Sequence, residues 1–145
     1  IEPVDLIGLA SEECARAKAE LLVHGEPTRM VVSGVAKLLR RVLRNLLENA
    51  RRYGTSDIEV ELTAMPSPNG HVVRISVCDR GPGVPLDLRE RIFEPFYRLP
   101  GASEREGGVG LGLALVRSIV TRHSGSVYCE DRVGGGARFV VLLPL

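Results

Sequence analysis

The sequence predicts a two-layer α/β sandwich, with a mixed, mostly antiparallel sheet carrying three main helices on one face. Three observations carry that expectation. Three segments repeat apolar residues at three- and four-residue spacing, the period of a helix with one buried face. Other segments alternate polar and apolar side chains, as half-buried strands do. No internal repeat or interdomain linker divides the 145 residues, a length that buries roughly 70% of its unfolded surface in one core.

Taken in order, Asp5 is placed to cap a first helix running to about Ala19, with Leu6, Leu9, Cys14, Ala15 and Ala19 on its inner face. Two short β segments follow at Leu21–His24 and Arg29–Ser33, separated by the turn Gly25-Glu26-Pro27. The strongest pattern spans Val35–Tyr53, where Leu39, Val42, Leu43, Leu46, Leu47 and Ala50 form one stripe, and Gly54 is a natural C-cap. Ile58–Ala64 and His71–Cys78 read as paired antiparallel strands joined by Met65–Gly70. A short helix is expected from Pro85 to Phe93, because Pro is tolerated at a first helical position. Leu99–Gly108 has glycines, a proline and charges, the composition of a mobile loop. A helix over Leu111–His123 ends at Ser124-Gly125, and strands at Val127–Glu130 and Ala137–Leu143 close the chain. Ser33-Gly34-Val35 precedes the long helix without an Asp cap, so that boundary is the least defined.

A net charge of +1 creates no field that would recruit nucleic acid or a membrane surface. Seventeen Arg stand against two Lys, scattered and without interleaved aromatics, so nucleic-acid binding finds no support. Cys14, Cys78 and Cys129 form no Cys-x-x-Cys pair and read as buried reduced thiols. His24, His71 and His123 lack the spacing of a zinc site. No leader and no apolar run approaching twenty residues is visible, so the chain is expected to be cytoplasmic and any membrane anchor of a parent protein lies outside it.

Asn45 and Asn49 lie one turn apart on the long helix, and Arg52 and Tyr53 continue that face. Amides are poor helix formers, and two stacked beside an apolar stripe are not there for packing. Carboxamide oxygens at this spacing suit a hard cation that keeps most of its waters, magnesium escorting phosphates being the common case. Directly after the strand ending in Cys78 comes Asp79-Arg80-Gly81-Pro82-Gly83. An Asp at a strand end can accept from an exocyclic amine, and the glycines free the backbone for a flat ligand; the alternative is an ordinary Asp-x-Gly turn. Gly107–Gly112 opens the last helix, where main-chain amides bind anions. It is not a Walker loop, since no Lys-Ser or Lys-Thr follows, and it lacks dinucleotide spacing.

In this order the motifs resemble those of the catalytic, ATP-binding domain of bacterial sensor histidine kinases, within the gyrase–Hsp90–kinase–MutL superfamily. Asn45–Tyr53 is similar to the family's asparagine box, Asp79–Gly83 to its first glycine box, Phe93-Glu-Pro-Phe96-Tyr-Arg98 to its phenylalanine box, and Gly108–Gly112 to its second glycine box. The resemblance covers nearly the whole chain. It implies a Bergerat-type ATP-binding fold over 1–145, as a single catalytic domain without the acceptor-histidine dimerisation domain. ATP and Mg2+ would lie between the asparagine helix and the loop at Leu99–Gly108.

Carried over, the resemblance gives magnesium to Asn49, with Asn45 assisting through the metal's waters or the phosphates. Arg52 and Tyr53 would face phosphate and ribose, and Asp79 would hold the adenine amine in a pocket shaped by Gly81 and Gly83. Gly108, Val109, Gly110, Leu111 and Gly112 would form the lid over the phosphates, anchored by Phe93 and Phe96, which equally suit a core. Arg98 and Arg105 flank that lid within reach of a γ-phosphate, or are solvated loop charges. Glu48 is off the asparagine line and reads as solvated or salt-bridged, and His123 as an imidazolium complementing a helix end.

Hydrolytic members of the superfamily carry Glu at the place of Asn45. A neutral amide is a poor base, so slow hydrolysis and transfer to an incoming nucleophile are expected. No histidine here is followed by Glu or Asp as an acceptor would be, so the partner is an acceptor-histidine hairpin of the same kinase, and indirectly a response regulator. The parent would be an inner-membrane sensor kinase, with no nucleic-acid partner and no membrane contact by this part. The alternatives are an anti-sigma-factor-type serine kinase, which usually has Glu at the Asn45 place and lacks a clear Phe-x-x-Phe, and a regulatory nucleotide-binding module.

Overall fold

The computed structural model of the chain describes residues 1–54, 57–97 and 111–145. In chain order the described elements are β1 (Glu2–Asp5), α1 (Leu6–Ala17), β2 (Glu20–His24), a 3-10 turn (Pro27–Met30), β3 (Val31–Gly34), α2 (Ala36–Gly54), β4 (Glu59–Ser67) and β5 (Gly70–Cys78). Two 3-10 pieces (Leu86–Leu88 and Arg91–Phe93), α3 (Gly112–Arg122), β6 (Ser126–Asp131) and β7 (Ala137–Pro144) follow.

The main sheet has the order β2-β4-β5-β7-β6, antiparallel except where β2 runs parallel to β4. One face carries the helices. Val60, Leu62, Val73, Ile75, Val77, Phe139 and Val141 meet Leu6, Leu9 and Cys14 of α1, the stripe Leu39, Val42, Leu43, Leu46, Leu47 and Ala50 of α2, and Val116, Ile119 and Val120 of α3. Every residue expected on the α2 stripe is buried. The opposite face alternates Glu59, Glu61, Arg74, Ser76 and Arg138.

Several expectations are corrected. The second β segment before α2 begins later than expected, because Arg29 and Met30 belong to the 3-10 turn, and it pairs as β3 with β1, a strand whose four residues show no alternation, in a separate two-stranded sheet. The β4–β5 connection is two residues, because the strands pair through Ser67 and Gly70. Pro66 is tolerated in β4 because β2 reaches only to Thr63, leaving that part of β4 an open edge. The helix over Pro85–Phe93 is instead the two 3-10 pieces. On α1, Asp5 caps as expected, accepting from the Gly8 amide at 3.2 Å, but the inner face holds Ala10 and Glu13, while Ala15 is exposed.

Candidate functional site

The asparagine helix has two polar edges on either side of its apolar stripe. One edge faces α1: Arg44 grips the buried carboxylate of Glu13 with two bonds (2.9 and 3.0 Å), and Arg40 adds a third at 2.9 Å. Further along, Arg51 donates to the carbonyl of Ala17 at the end of α1. The other edge carries Asn45, Asn49 and Arg52 in the expected line. Both asparagines are half-buried, Arg52 is exposed and Tyr53 half-buried, while Glu48 points to solvent, in keeping with the solvated role expected of it. The Asn45 side-chain nitrogen donates to the carbonyl of Gly112 at 3.2 Å, which ties this edge to the first residue of α3. Because the carboxamide is planar, its oxygen is turned away from that carbonyl.

Asp79 leaves the end of the central strand β5 and is only 3% exposed. Its Oδ1 accepts from the Gly81 amide at 2.9 Å and the Ala137 amide at 3.3 Å, so the carboxylate is fixed by main chain from two segments. Among the described residues both bonds fall on that one oxygen. Gly83 has a φ of +77° and faces Gly136, whose own φ is +104° and where a Cβ would stand 2.0 Å from the Asp79 carbonyl oxygen, an overlap only glycine avoids. Arg80 locks the same turn through the carbonyls of Val133 (2.7 Å) and Gly135 (3.0 Å). Arg80, Gly136 and Ala137 are support for Asp79 that sequence reasoning missed; only the glycine run before β7 hints at it.

A chain of contacts joins the two walls. From Gly112, α3 leads to Arg117, whose guanidinium lies 4.3 Å over the Phe93 ring and bonds Glu90 at 3.1 Å. Phe93 meets Phe139 of β7 edge-on at 6.3 Å, and β7 begins at Ala137, the partner of Asp79. Phe93 is buried in the core as its alternative reading allows, whereas Phe96 is 70% exposed and left-handed at φ 66°, so it is no core aromatic. Its neighbour Pro95 and the end of the 3-10 piece at Phe93 turn the chain outward there.

Of the lid, Arg98, Arg105, Gly108, Val109 and Gly110 lie outside the described residues, as does the loop expected at Leu99–Gly108. Leu111 and Gly112 are exposed at the start of α3, and the N-cap residue Leu111 makes no side-chain bond to the first amides, the kind of amides that can receive an anion. Among the described residues no three His, Cys, Asp or Glu converge, so the donors on this wall for a hard cation are neutral carboxamide oxygens. That set fits a magnesium ion held mainly by phosphates and water.

The three cysteines are free and buried, and burial pushes the thiols of Cys14 and Cys129 up to about 11 and about 12, so thiolate chemistry at neutral pH is disfavoured. His123 does sit at the end of α3, but not as an imidazolium. Its Nε2 receives the Val35 amide at 3.1 Å and its Nδ1 lies 2.8 Å from the Ile119 carbonyl, a pair of bonds that requires a neutral ring.

The family model described as "Histidine kinase-, DNA gyrase B-, and HSP90-like ATPase" matches residues 34–145. The sensor histidine kinase CpxA of Escherichia coli is 39% identical over 142 residues, covering 97% of this chain and 30% of CpxA. The sensor protein RstB of Escherichia coli is 46% identical over 110 residues, covering 75% of this chain and 24% of RstB. The chain thus spans less than a third of the length of these relatives. Among solved structures, the mycobacterial sensor histidine kinase MprB superposes with a TM-score of 0.81 at 28% identity, covering 99% of this chain and 97% of that one. Full-length ShkA in complex with AMPPNP superposes with a TM-score of 0.73 at 32% identity, covering 99% of this chain and 30% of that one.

Proposed function

Since the chain belongs to the histidine kinase-, DNA gyrase B- and HSP90-like ATPase family, we propose that it is the catalytic domain, over 1–145, of a sensor histidine kinase. It binds Mg-ATP and supplies the γ-phosphoryl group to a histidine on a separate helical-hairpin domain of the same kinase, from which a response regulator takes it. The observation that carries this reading is Asp79: a buried carboxylate held through Oδ1 by two main-chain amides, at the end of the central strand, where its second oxygen can accept the adenine amine. The AMPPNP complex of ShkA supports an adenine nucleotide as the ligand.

In this reading Asp79 reads adenine, and the backbone freedom of Gly81 and Gly83 lets the base approach. Asn49 and Asn45 hold the metal and phosphate end, with Arg52 and Tyr53 on the ribose and phosphate side. Leu111 and Gly112, with Gly108, Val109 and Gly110 before them, offer main-chain amides to the phosphates, and Arg98 and Arg105 neutralise γ-phosphate charge. Magnesium, when bound, neutralises the β- and γ-oxygens. The acceptor imidazole nitrogen forms a bond to the γ-phosphorus as the bond to the β–γ bridging oxygen breaks, and ADP leaves with that electron pair. Asn45 supports transfer over hydrolysis, because an amide already donating to Gly112 offers no base for water. No helix among the described residues is long and apolar enough to cross a membrane. Because its proposed substrate, ATP, is cytoplasmic, a membrane-bound parent would present this domain on that side.

The test is phosphorylation in trans. Labelled ATP, magnesium and this domain are mixed with an acceptor-histidine hairpin. Acid-labile, base-stable label on the hairpin is expected. Acid-stable label on a serine-bearing partner would instead identify a serine kinase, and nucleotide binding without transfer to either would identify a regulatory module.

A further inference from the structure

His123 touches neither the asparagines nor the Asp79 turn, yet it joins the two helices that frame the phosphate end. The Val35 amide can only donate and the Ile119 carbonyl can only accept. With Val35 N at 3.1 Å from Nε2 and Ile119 O at 2.8 Å from Nδ1, the ring is fixed as the neutral tautomer protonated on Nδ1. Val35 is where α2 begins: its carbonyl receives the amides of Leu38 and Leu39, both at 3.0 Å. The preceding Gly34 leaves the ring its seat, since a Cβ there would stand 2.6 Å from the imidazole Cδ2.

At the other end of α3, Gly112 is tied to Asn45 of α2. The two ties are ten residues apart on α2 and eleven apart on α3, spans of about 15 and about 16 Å at the helical rise. Two antiparallel rods are thus pinned at matching intervals. A slip of α3 by one residue, about 1.5 Å, would break both bonds. Releasing the pin at His123 leaves one of the two hydrogen bonds, that between Asn45 and Gly112, to set the register of α3 against α2, while Val116, Ile119 and Val120 still hold the helix to the core.

We propose that His123 is a positioning residue for the nucleotide's phosphates: as a neutral imidazole seated on Gly34, it pins the end of α3 to the start of the asparagine helix and so sets the register between the first turn of α3 and the Asn45–Asn49 edge. This rests on the reading of that edge as the phosphate and metal wall. The adenine end, held by Asp79 and Ala137, does not depend on the pin.

The experiment is calorimetric titration with adenosine and with Mg-ATP. His123→Leu removes the acceptor for the Val35 amide, while His123→Gln keeps an acceptor at the reach of Nε2. Expected are a roughly tenfold loss of Mg-ATP affinity in His123→Leu, adenosine affinity within about twofold of wild type, and recovery to within about threefold in His123→Gln. A residue that merely supported the fold would weaken both ligands alike, and that result would overturn the proposal, as would a glutamine variant no better than leucine. Gly34→Ala keeps the imidazole but fills its seat, so it shows the same selective loss and serves if His123→Leu does not fold; an unchanged ratio of ATP to adenosine affinity in it also overturns the proposal. A wild-type chain that binds neither ligand overturns the nucleotide reading itself, which separates the two failures.

Discussion

The side-chain nitrogen of Asn45 donates to the main-chain oxygen of Gly112 across 3.2 Å, so the polarity of this amide, and not only its size, joins the asparagine helix to α3. Asn45→Ala deletes one uncharged hydrogen bond, about 1 kcal/mol, and Mg-ATP affinity is expected to fall roughly fivefold. Asn45→Asp should do worse, because it sets a carboxylate against the Gly112 carbonyl and against phosphate charge. The expected calorimetric order is Asn, then Ala, then Asp. An aspartate variant that binds as tightly as wild type would contradict the arrangement.

Asp79→Asn tests the other wall. Asparagine retains an oxygen for the Gly81 and Ala137 amides, so the turn is kept and unfolding should change little. The charged acceptor proposed for the adenine amine is lost, a bond worth roughly 1.5–3 kcal/mol, so ATP affinity should drop by about 10- to 100-fold. Calorimetry showing unchanged ATP affinity would refute the adenine contact.

What was legible in the sequence was what local period and local chemistry carry. The stripe Leu39–Ala50, the line Asn45–Asn49–Arg52 and the position of Asp79 after β5 all appear where expected, because each depends on residues within a few turns or one strand. Partner choice was not legible. β1 is four residues with Pro3 inside it, and its pairing with β3 lies far along the chain. The parallel docking of β2 on β4 is equally non-local. The same limit holds at the site: the Ala137 amide that fixes Asp79 has no side chain to announce it. The neutral state of His123 is set by a donor 88 positions away. Glu13 on α1 is buried because Arg40 and Arg44, 27 and 31 positions away, meet it from α2.

Ser124 closes α3 in a left-handed conformation at φ 61°, where a Cβ is strained, beside the imidazole that pins the helix. Its amide bonds the Thr121 carbonyl at 3.0 Å, and the next amide, Gly125, reaches Val120 at 2.9 Å. Glycine fits that conformation and keeps both bonds. Ser124→Gly should therefore stabilise the chain by about 0.5–1 kcal/mol after the flexibility it adds to the unfolded state. The thermal midpoint should rise by a few degrees, and a fall would show that the hydroxyl has a role the main chain does not reveal.

Glu13 should make the stability of the chain depend on pH. The hydrogen bond from Arg44 is the largest influence on its carboxyl, which is held below the ordinary carboxylate range even though burial pulls the other way. A carboxyl that is more acidic folded than unfolded contributes stability in full above its unfolded value. That contribution is lost as pH falls through the folded value, because the folded state must then take up a proton against its arginines. Glu13→Gln keeps the shape but removes the charge that two arginines share, at a cost on the order of 2 kcal/mol near neutral pH. Urea unfolding of wild type and variant across a pH series should show their difference greatest at neutral pH and shrinking below the ordinary carboxylate range of about 4. Since the same arginines fix one edge of the helix whose other edge carries Asn45 and Asn49, the variant should also bind Mg-ATP more weakly as α1 loosens from α2. A stability difference that stayed constant or grew toward acid would mean that Glu13 is held by shape and not by charge.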